Sequence, residues 1–369
     1  MYNLSLQTKI EYKSYFIYEF NSENIIQLKN GSILVFTSNQ IFHLNKILNK
    51  STLIDFHREY STRSIKQLKN NKILFCNEKL YEIDITKKEI KEISFSEKLD
   101  IKIYDIIQLK NGQIIVITDD NLINIELNDE EHKEVKINFI YKFPDEYILY
   151  RNLYDDKNYS NLYLLEGNKL LIHRYRAHND NRSKCGNCRR PSYYSNIIIV
   201  INLDNFEIIH QFEHFNNEIN IVVLKKYICI SYCWNIYIYN INNFKKIKDI
   251  DMGYYYSNLY IFKYDENTLI STVQSISNNT IVLFDLSDIN DIQFSLLKNN
   301  YNFRNNEYIY HREFFKNKLI YKLKDQRILI NIFPFIYIFE LPKYFVFKSL
   351  KKEIEGGKKI FYKEITNNL

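Results

Sequence analysis

The residues of this 369-residue chain with the clearest capacity for chemistry sit between 174 and 190. Cys185-Gly-Asn-Cys188 sets two thiols two residues apart. A tight turn at that spacing lets both thiolates reach one tetrahedral zinc ion, so the pair reads as half of a zinc knuckle. His178 is the nearest further ligand, with His173 behind it, and no second C-x-x-C occurs. Zinc held by Cys185, Cys188 and His178 is one expectation. The simpler one is two free thiols, made reactive by neighbouring arginines that lower a thiol's pKa. A redox role lacks the βαβ surroundings of a thioredoxin-like site.

The same stretch is strongly basic. Arg174, Arg176, Arg182, Lys184, Arg189 and Arg190 stand against the single acid Asp180, a local charge of +5 in a chain of net charge +6. Polar residues and a proline surround them, so 174–190 reads as an exposed loop. Arg176, Arg182, Lys184, Arg189 and Arg190 are its expected binding residues. Such a loop attracts phosphate, a nucleic acid or an acidic protein patch. Tyr193 and Tyr194 add faces on which bases stack.

Elsewhere the chain lacks the signatures of catalysis. Its 7 glycines form no dinucleotide fingerprint, phosphate loop or nucleophile elbow, and there is no H-E-x-x-H. The acid pairs Asp119-Asp120, Glu130-Glu131 and Asp155-Asp156 fall in turns and read as solvated turn chemistry. His210 and His214 share a strand face, where they form an exposed pair rather than a metal site. Cys76, Cys229 and Cys233 lie in apolar strands and read as core residues. A non-enzymatic protein is expected; a hydrolase using a metal in a central channel is the catalytic alternative.

The elements that must carry the loop are strands. Hydrophobic residues make up 46% of the chain, far too many for disorder, and Tyr (32) and Phe (25) join abundant Ile, a composition that favours sheets. Only 4 prolines and 7 glycines serve many turns, so Asn and Asp carry most of them. The near-absence of alanine, with Ala177 alone, matches an AT-rich codon bias.

The heptad IIQLKNG occurs at 25–31 and again at 106–112, with a worn copy, IKQLKNN, at 65–71. This period of about 40 residues in a strand-rich chain predicts a propeller. Asn30-Gly31 and Asn111-Gly112 are expected as type I′ hairpin turns, with Asn70-Asn71 a weaker version. A further strand motif recurs at QIFHLN (40–45), KLYEID (79–84), NLINIE (121–126), NIIIVINLD (196–204), NIYIYN (235–240), TIVLFD (280–285) and FIYIFE (335–340).

Such a strand followed by a short polar turn, best seen in WNIYIYNINNFKKI at 234–247, resembles the end of a WD-type propeller repeat. No unit carries the Gly-His pair or the Trp-Asp ending, and Trp234 opens its strand. The resemblance implies an all-β chain: a β-propeller, expected with seven four-stranded blades and closed by the N-terminal strand at 9–19. One propeller domain is expected over 1–348, with a tail at 349–369. The motif skips between 121 and 196, where a long connection (141–161) and the basic insert (175–194) fill the gap. Inserts of this kind map to surface loops that bind.

The N-terminus lacks the apolar core of a signal peptide, and the most apolar stretch, 328–341, is too short and interrupted for a membrane helix. A cytoplasmic location without membrane contact is expected. The expected function is a protein–protein interaction scaffold; the alternative is a nucleic-acid- or virion-associated protein binding through 174–190.

Overall fold

The computed structural model describes residues 14–19, 22–37, 40–45, 50–55, 64–77, 79–95, 102–127, 134–147, 159–178, 193–213, 215–216, 219–252, 256–275, 279–297, 320–322, 328–332, 335–339 and 348–349. The protein is all-β: one turn of 3-10 helix, Asp145–Tyr147, is the single helical element among these residues. The chain divides into two compact units, 21–219 and 1–20 with 220–369.

The first strand, β1 (Ser14–Glu19), belongs to the second of these units. The unit 21–219 opens with an antiparallel sheet of β2 (Ser22–Gln27), β3 (Ile33–Thr37), β4 (Gln40–Leu44) and β5 (Lys50–Asp55). The same up-and-down order repeats in β6 (Ser64–Gln67), β7 (Ile73–Asn77), β8 (Lys79–Asp84) and β9 (Glu89–Phe95). It repeats again in β10 (Asp105–Gln108), β11 (Ile114–Ile117), β12 (Asn121–Glu126) and β13 (Glu134–Lys142). A fourth set is β14 (Tyr159–Leu165), β15 (Lys169–His178), β16 (Tyr193–Asn202) and β17 (Ile208–Gln211). A short parallel contact, Glu134↔Ser94 and Val135↔Phe95, joins β13 to β9.

The other unit holds β18 (Ile219–Val223), β19 (Tyr227–Tyr232), β20 (Asn235–Asn240) and β21 (Lys246–Asp251). Next come β22 (Tyr256–Lys263), β23 (Thr268–Ser275), β24 (Asn279–Asp285) and β25 (Gln293–Leu297). Its last sheet is β26 (Ile320–Lys322), β27 (Ile328–Ile332) and β28 (Phe335–Phe339), completed by β1. β1 runs antiparallel to β28, from Ser14↔Phe339 to Glu19↔Phe335. A further short strand, β29 (Lys348–Ser349), lies on the outer edge of β25. Each of the seven recurring strand motifs read from the sequence forms the third strand of its sheet.

Burial follows from position. Second strands such as β3 and β11 are buried at every residue, which is why they read as unbroken apolar runs. The fourth strand β9 instead mixes exposed and half-buried positions, because one side of it meets water. Cores form between consecutive sheets. Leu34 and Phe36 pack with Ile73 and Phe75; Leu74 and Cys76 pack with Ile114 and Val116; Ile115 and Ile117 pack with Leu170 and Ile172. Phe75 stacks on Tyr81 at 4.8 Å between ring centroids and meets Phe36 at 5.7 Å. Full burial of such a side chain contributes roughly 1.5–3 kcal/mol.

The repeated heptad has a structural role of its own. Gln27 Nε2 donates to the Gly31 carbonyl at 3.2 Å, and Gln108 Nε2 does the same to Gly112 at 3.0 Å. The other end of the amide reaches the preceding unit: Lys29 N–H donates to Gln67 Oε1 at 2.6 Å, and Lys69 N–H to Gln108 Oε1 at 2.8 Å. Lys29 Nζ donates in turn to the Leu68 carbonyl at 2.7 Å. The turns differ from the expected type I′. Gly31 (φ 90), Gly112 (φ 97) and Asn71 (φ 68) have positive φ, whereas Asn30, Asn70 and Asn111 do not. Gly31 N–H closes a β-turn on the Leu28 carbonyl and Leu28 N–H bonds to the Ser32 carbonyl, giving a three-residue loop whose last residue alone is left-handed. Asn30 Oδ1 instead accepts the Ser32 N–H at 3.0 Å.

Candidate functional site

The basic insert is carried by two unusually long strands. β15 and β16 have ten residues each and pair without a break from Lys169↔Asn202 to His178↔Tyr193. Among the described residues their neighbours stop earlier: β14 begins at Tyr159 opposite Tyr175, and beyond β17 the pairing on the other side ends at the bridge Asn196↔Phe215. The pairs Arg176↔Ser195, Ala177↔Tyr194 and His178↔Tyr193 therefore extend, among the described residues, past both flanking strands as a two-stranded ribbon. Residues 175–178 and 193–194, expected within the loop, belong to these strands. Arg182, Lys184, Arg189, Arg190, Cys185 and Cys188 lie outside the described residues.

At the root of the ribbon two adjacent polar side chains are buried. His173 is 1% exposed. Its Nε2 lies 2.9 Å from Asn196 Oδ1, while Asn196 Nδ2 donates to the Phe215 carbonyl at 2.8 Å. That amide orientation makes His173 Nε2 the donor, so the ring is the neutral Nε2–H tautomer. Burial lowers its pKa to about 4, against which the Asn196 hydrogen bond pulls only weakly upward. The ring also meets Tyr159 edge-on at 5.5 Å, and Tyr159 stacks on Tyr175 at 4.5 Å. His173 is thus committed to the root.

Arg174 corrects the sequence reading more sharply. Counted among the exposed cations, it is fully buried. Its guanidinium lies 4.3 Å above the Phe143 ring and donates through Nη2 to the Thr118 carbonyl at 3.1 Å and to the Asp119 carbonyl. Burial lowers its pKa to about 10, partly opposed by Asp119, so it stays cationic at neutral pH. Nε and Nη1 have no hydrogen-bond partner among the described residues.

The turn that carries the acid pair expected to be solvated receives this arginine through its backbone carbonyls. Asp119 and Asp120 occupy the β11–β12 turn and are half-buried. Tyr104 OH donates to Asp119 Oδ1; Asn121 Nδ2 donates to Asp120 Oδ1 at 2.6 Å. The ribbon is thereby tied to the preceding sheet on one face and to Phe215 on the other.

A second polar centre escaped the sequence reading. Asp105, 5% exposed, opens β10. Its Oδ1 accepts the Ser64 hydroxyl from β6 and its own Ile106 N–H at 2.8 Å; its Oδ2 accepts the Leu162 N–H from β14 at 2.7 Å. One carboxylate thus clips three consecutive first strands together. Asn220 on β18 repeats half of this by accepting the Ile261 N–H of β22 at 3.1 Å. The signal was present: the residue three before each heptad glutamine is polar, as Asn24, Ser64 and Asp105.

Of the remaining sequence candidates, Cys76 and Cys229 are fully buried, and burial pushes the Cys229 thiol up. Cys233 is not in a strand but in the β19–β20 turn, at φ 53. His210 meets Phe212 edge-on at 4.7 Å, while His214, Glu130, Glu131, Asp155 and Asp156 lie outside the described residues. Among the described residues no group of three or more His, Cys, Asp or Glu side chains is placed to hold a metal, and no helix is long and apolar enough to cross a membrane.

No protein-family model matches the chain, and no curated protein matches its sequence. Solved structures do match its fold. The extracellular domain of a putative hybrid two-component system from B. thetaiotaomicron aligns over 89% of this chain at TM-score 0.60 and 10% identity; this chain spans 42% of that one. Virginiamycin B lyase from Staphylococcus aureus aligns over 90% of this chain and 99% of its own, at TM-score 0.56 and 12% identity. The WD40 β-propeller domain of Doa1 aligns over 90% of this chain and 98% of its own, at TM-score 0.54 and 8% identity. At these identities the likeness concerns the fold alone, and the fold is propeller-like.

Proposed function

We propose that the chain is a β-propeller of seven four-stranded blades, closed by β1 as the outermost strand of the last, and that it serves as a non-enzymatic interaction scaffold. Its recognition element is the basic ribbon of the fourth blade, and its partner is a protein with an acidic surface. One observation carries this reading: β15 and β16 stay in register to His178↔Tyr193, past both neighbouring strands among the described residues. A loop without a task is not expected to sit on a two-stranded extension rooted by two buried polar side chains, since burying an arginine with unpaired donors costs free energy that packing elsewhere must offset. The six cations at 174–190 then divide: Arg174 builds the root, and Arg176, Arg182, Lys184, Arg189 and Arg190 remain for the partner.

The test is a nuclease-treated pull-down from native extract with the intact chain and with a variant in which a Gly-Ser turn replaces 179–192. A protein retained after nuclease and lost with the ribbon tip is the expected result. Partners retained without the tip would move recognition to other surfaces and refute the assignment. Retention that disappears with nuclease would favour the second reading, a nucleic-acid-binding protein, which the local charge and Tyr193-Tyr194 support.

A further inference from the structure

Among the described outer strands of the four-stranded sets, β13 is the longest, at nine residues. Its outer edge is divided by a bulge. Opposite β12, Asn124 pairs with Phe139 but Ile125 pairs with Ile137, so Asn138 is an extra residue on β13. Before the bulge the edge is occupied, because Glu134 and Val135 pair with β9. After it, Phe139–Lys142 pair on one side only, with β12, among the described residues.

This segment also carries two adjacent exposed apolar side chains. Phe139 and Ile140 are 38% and 39% exposed, adjacent, and two of the four large apolar side chains exposed among the described residues. The Phe139 ring sits 4.3 Å from Phe206, which stacks on Tyr141 at 5.8 Å. Ile140 pairs with Ile123 and Phe139 with Asn124, so the two side chains leave opposite faces of the strand.

We propose that Phe139–Lys142 is a docking edge for a short extended segment of a partner protein, which adds to β13 as a fifth strand with apolar side chains against Phe139 and Ile140. A backbone edge that is unpaired among the described residues calls for a strand rather than a helix. The fold already shows that a blade accepts one: β29 adds to the matching edge of β25, pairing Gln293↔Ser349 and Phe294↔Lys348. Area decides against a second copy of the chain. Four residues of strand fall well below the ~1,200 Å² that a stable interface between folded proteins buries, but suit a linear segment held by backbone hydrogen bonds and one or two side chains. The edge lies outside the ribbon, so this site stands or falls separately from it.

The probe is a random dodecapeptide display library selected on the full chain, followed by synthesis of the enriched peptides. Peptides with apolar residues at alternate positions are expected. Their affinity should fall at least tenfold on Phe139→Glu and on Ile140→Lys, and equally on backbone N-methylation at alternate residues. Phe139 also packs on Phe206, so Phe139→Glu is compared under conditions where its denaturation curve shows it fully folded, while Ile140→Lys should unfold at the wild-type midpoint. A ribbon-shortened variant should bind the peptides as the intact chain does. Peptides that bind both variants unchanged, or that tolerate N-methylation, would overturn the proposal. So would a selection that yields no binder, and so would a dimer of the chain that Phe139→Glu dissolves, since the edge would then belong to a second copy.

Discussion

Gln108 and Lys69 stand 39 residues apart in sequence, yet the Lys69 N–H donates to Gln108 Oε1 at 2.8 Å while Gln108 Nε2 holds its own turn through the Gly112 carbonyl. Gln67 receives Lys29 in the same way. The letter-for-letter repeat therefore builds a joint: Gln108 holds both its own turn and the turn of the preceding repeat, Gln27 holds its own turn, and Gln67 holds the preceding one. Gln108→Leu keeps the side-chain volume and removes both bonds. It should cost about 1–2 kcal/mol, read as a shift in the urea midpoint at unchanged slope. A change below about 0.5 kcal/mol would show that water replaces the glutamine without loss.

The turn geometry makes a separate prediction. Gly112 sits at φ +97 with nothing within 4 Å of where a Cβ would stand, so any cost of a side chain there is backbone strain and not a clash. Gly112→Ala should destabilise the chain by about 1 kcal/mol. Asn71 occupies the equivalent place at φ 68. Asn71→Gly relieves strain but loosens the unfolded chain, so its net effect should stay within about 0.5 kcal/mol of zero. Thermal unfolding of the two variants side by side distinguishes this pattern from equal effects at both turns.

His173 ties stability to pH. The folded chain holds its pKa near 4, below the usual 6.5. Between those values the unfolded chain binds a proton that the folded chain excludes. Stability therefore falls as pH drops from about 6.5 toward 4, by roughly 3 kcal/mol over the full window, and this contribution is flat on either side. His173→Gln keeps a donor near Asn196 and cannot titrate. Between pH 7 and pH 5 the variant should lose roughly 2 kcal/mol less than the wild type. Parallel denaturation curves in the two proteins would contradict the buried neutral ring.

How much of this was readable beforehand depended on where the determining contacts lie. The third strands and the place of the N-terminal strand in the last sheet follow from local alternation and spacing, and the structure has both, with Ser14–Glu19 described of the strand expected at 9–19. The heptad turns were placed correctly but given the wrong geometry. Asn-Gly serves either a two-residue or a three-residue loop, and the register Gln27↔Ile33 decides between them. Arg174 was misread for a different reason. It lies beside a run of solvated cations, and only Phe143 and the Thr118–Asp119 carbonyls, brought in from another sheet, make it a buried residue. Asp105 went unread because its partners, Ser64 and Leu162, come from two other sets of strands.

Arg174 should accordingly behave as a core residue. Arg174→Ala leaves the Thr118 and Asp119 carbonyls without their donor and opens a void against Phe143; a loss of about 3–5 kcal/mol is expected. Arg182→Ser, in the proposed binding segment, should change stability by less than about 0.5 kcal/mol. Equal, small effects from both would return Arg174 to the surface.

The N-terminal strand provides the most demanding test of the architecture. β1 supplies the edge next to β28, so deleting residues 1–20 leaves β28 with β27 as its one partner among the described strands. An exposed third strand is both an unpaired ladder and an aggregation edge. If β1 closes a ring of blades, as proposed, its loss removes more than one strand's hydrogen bonds, because every blade interface depends on the ring staying shut. The truncated chain should then unfold at a markedly lower midpoint by circular dichroism, in one transition that includes both compact units. If only the last sheet is affected, a small early transition should separate from an unshifted main one. A chain that melts as the intact protein does would show that β1 closes nothing.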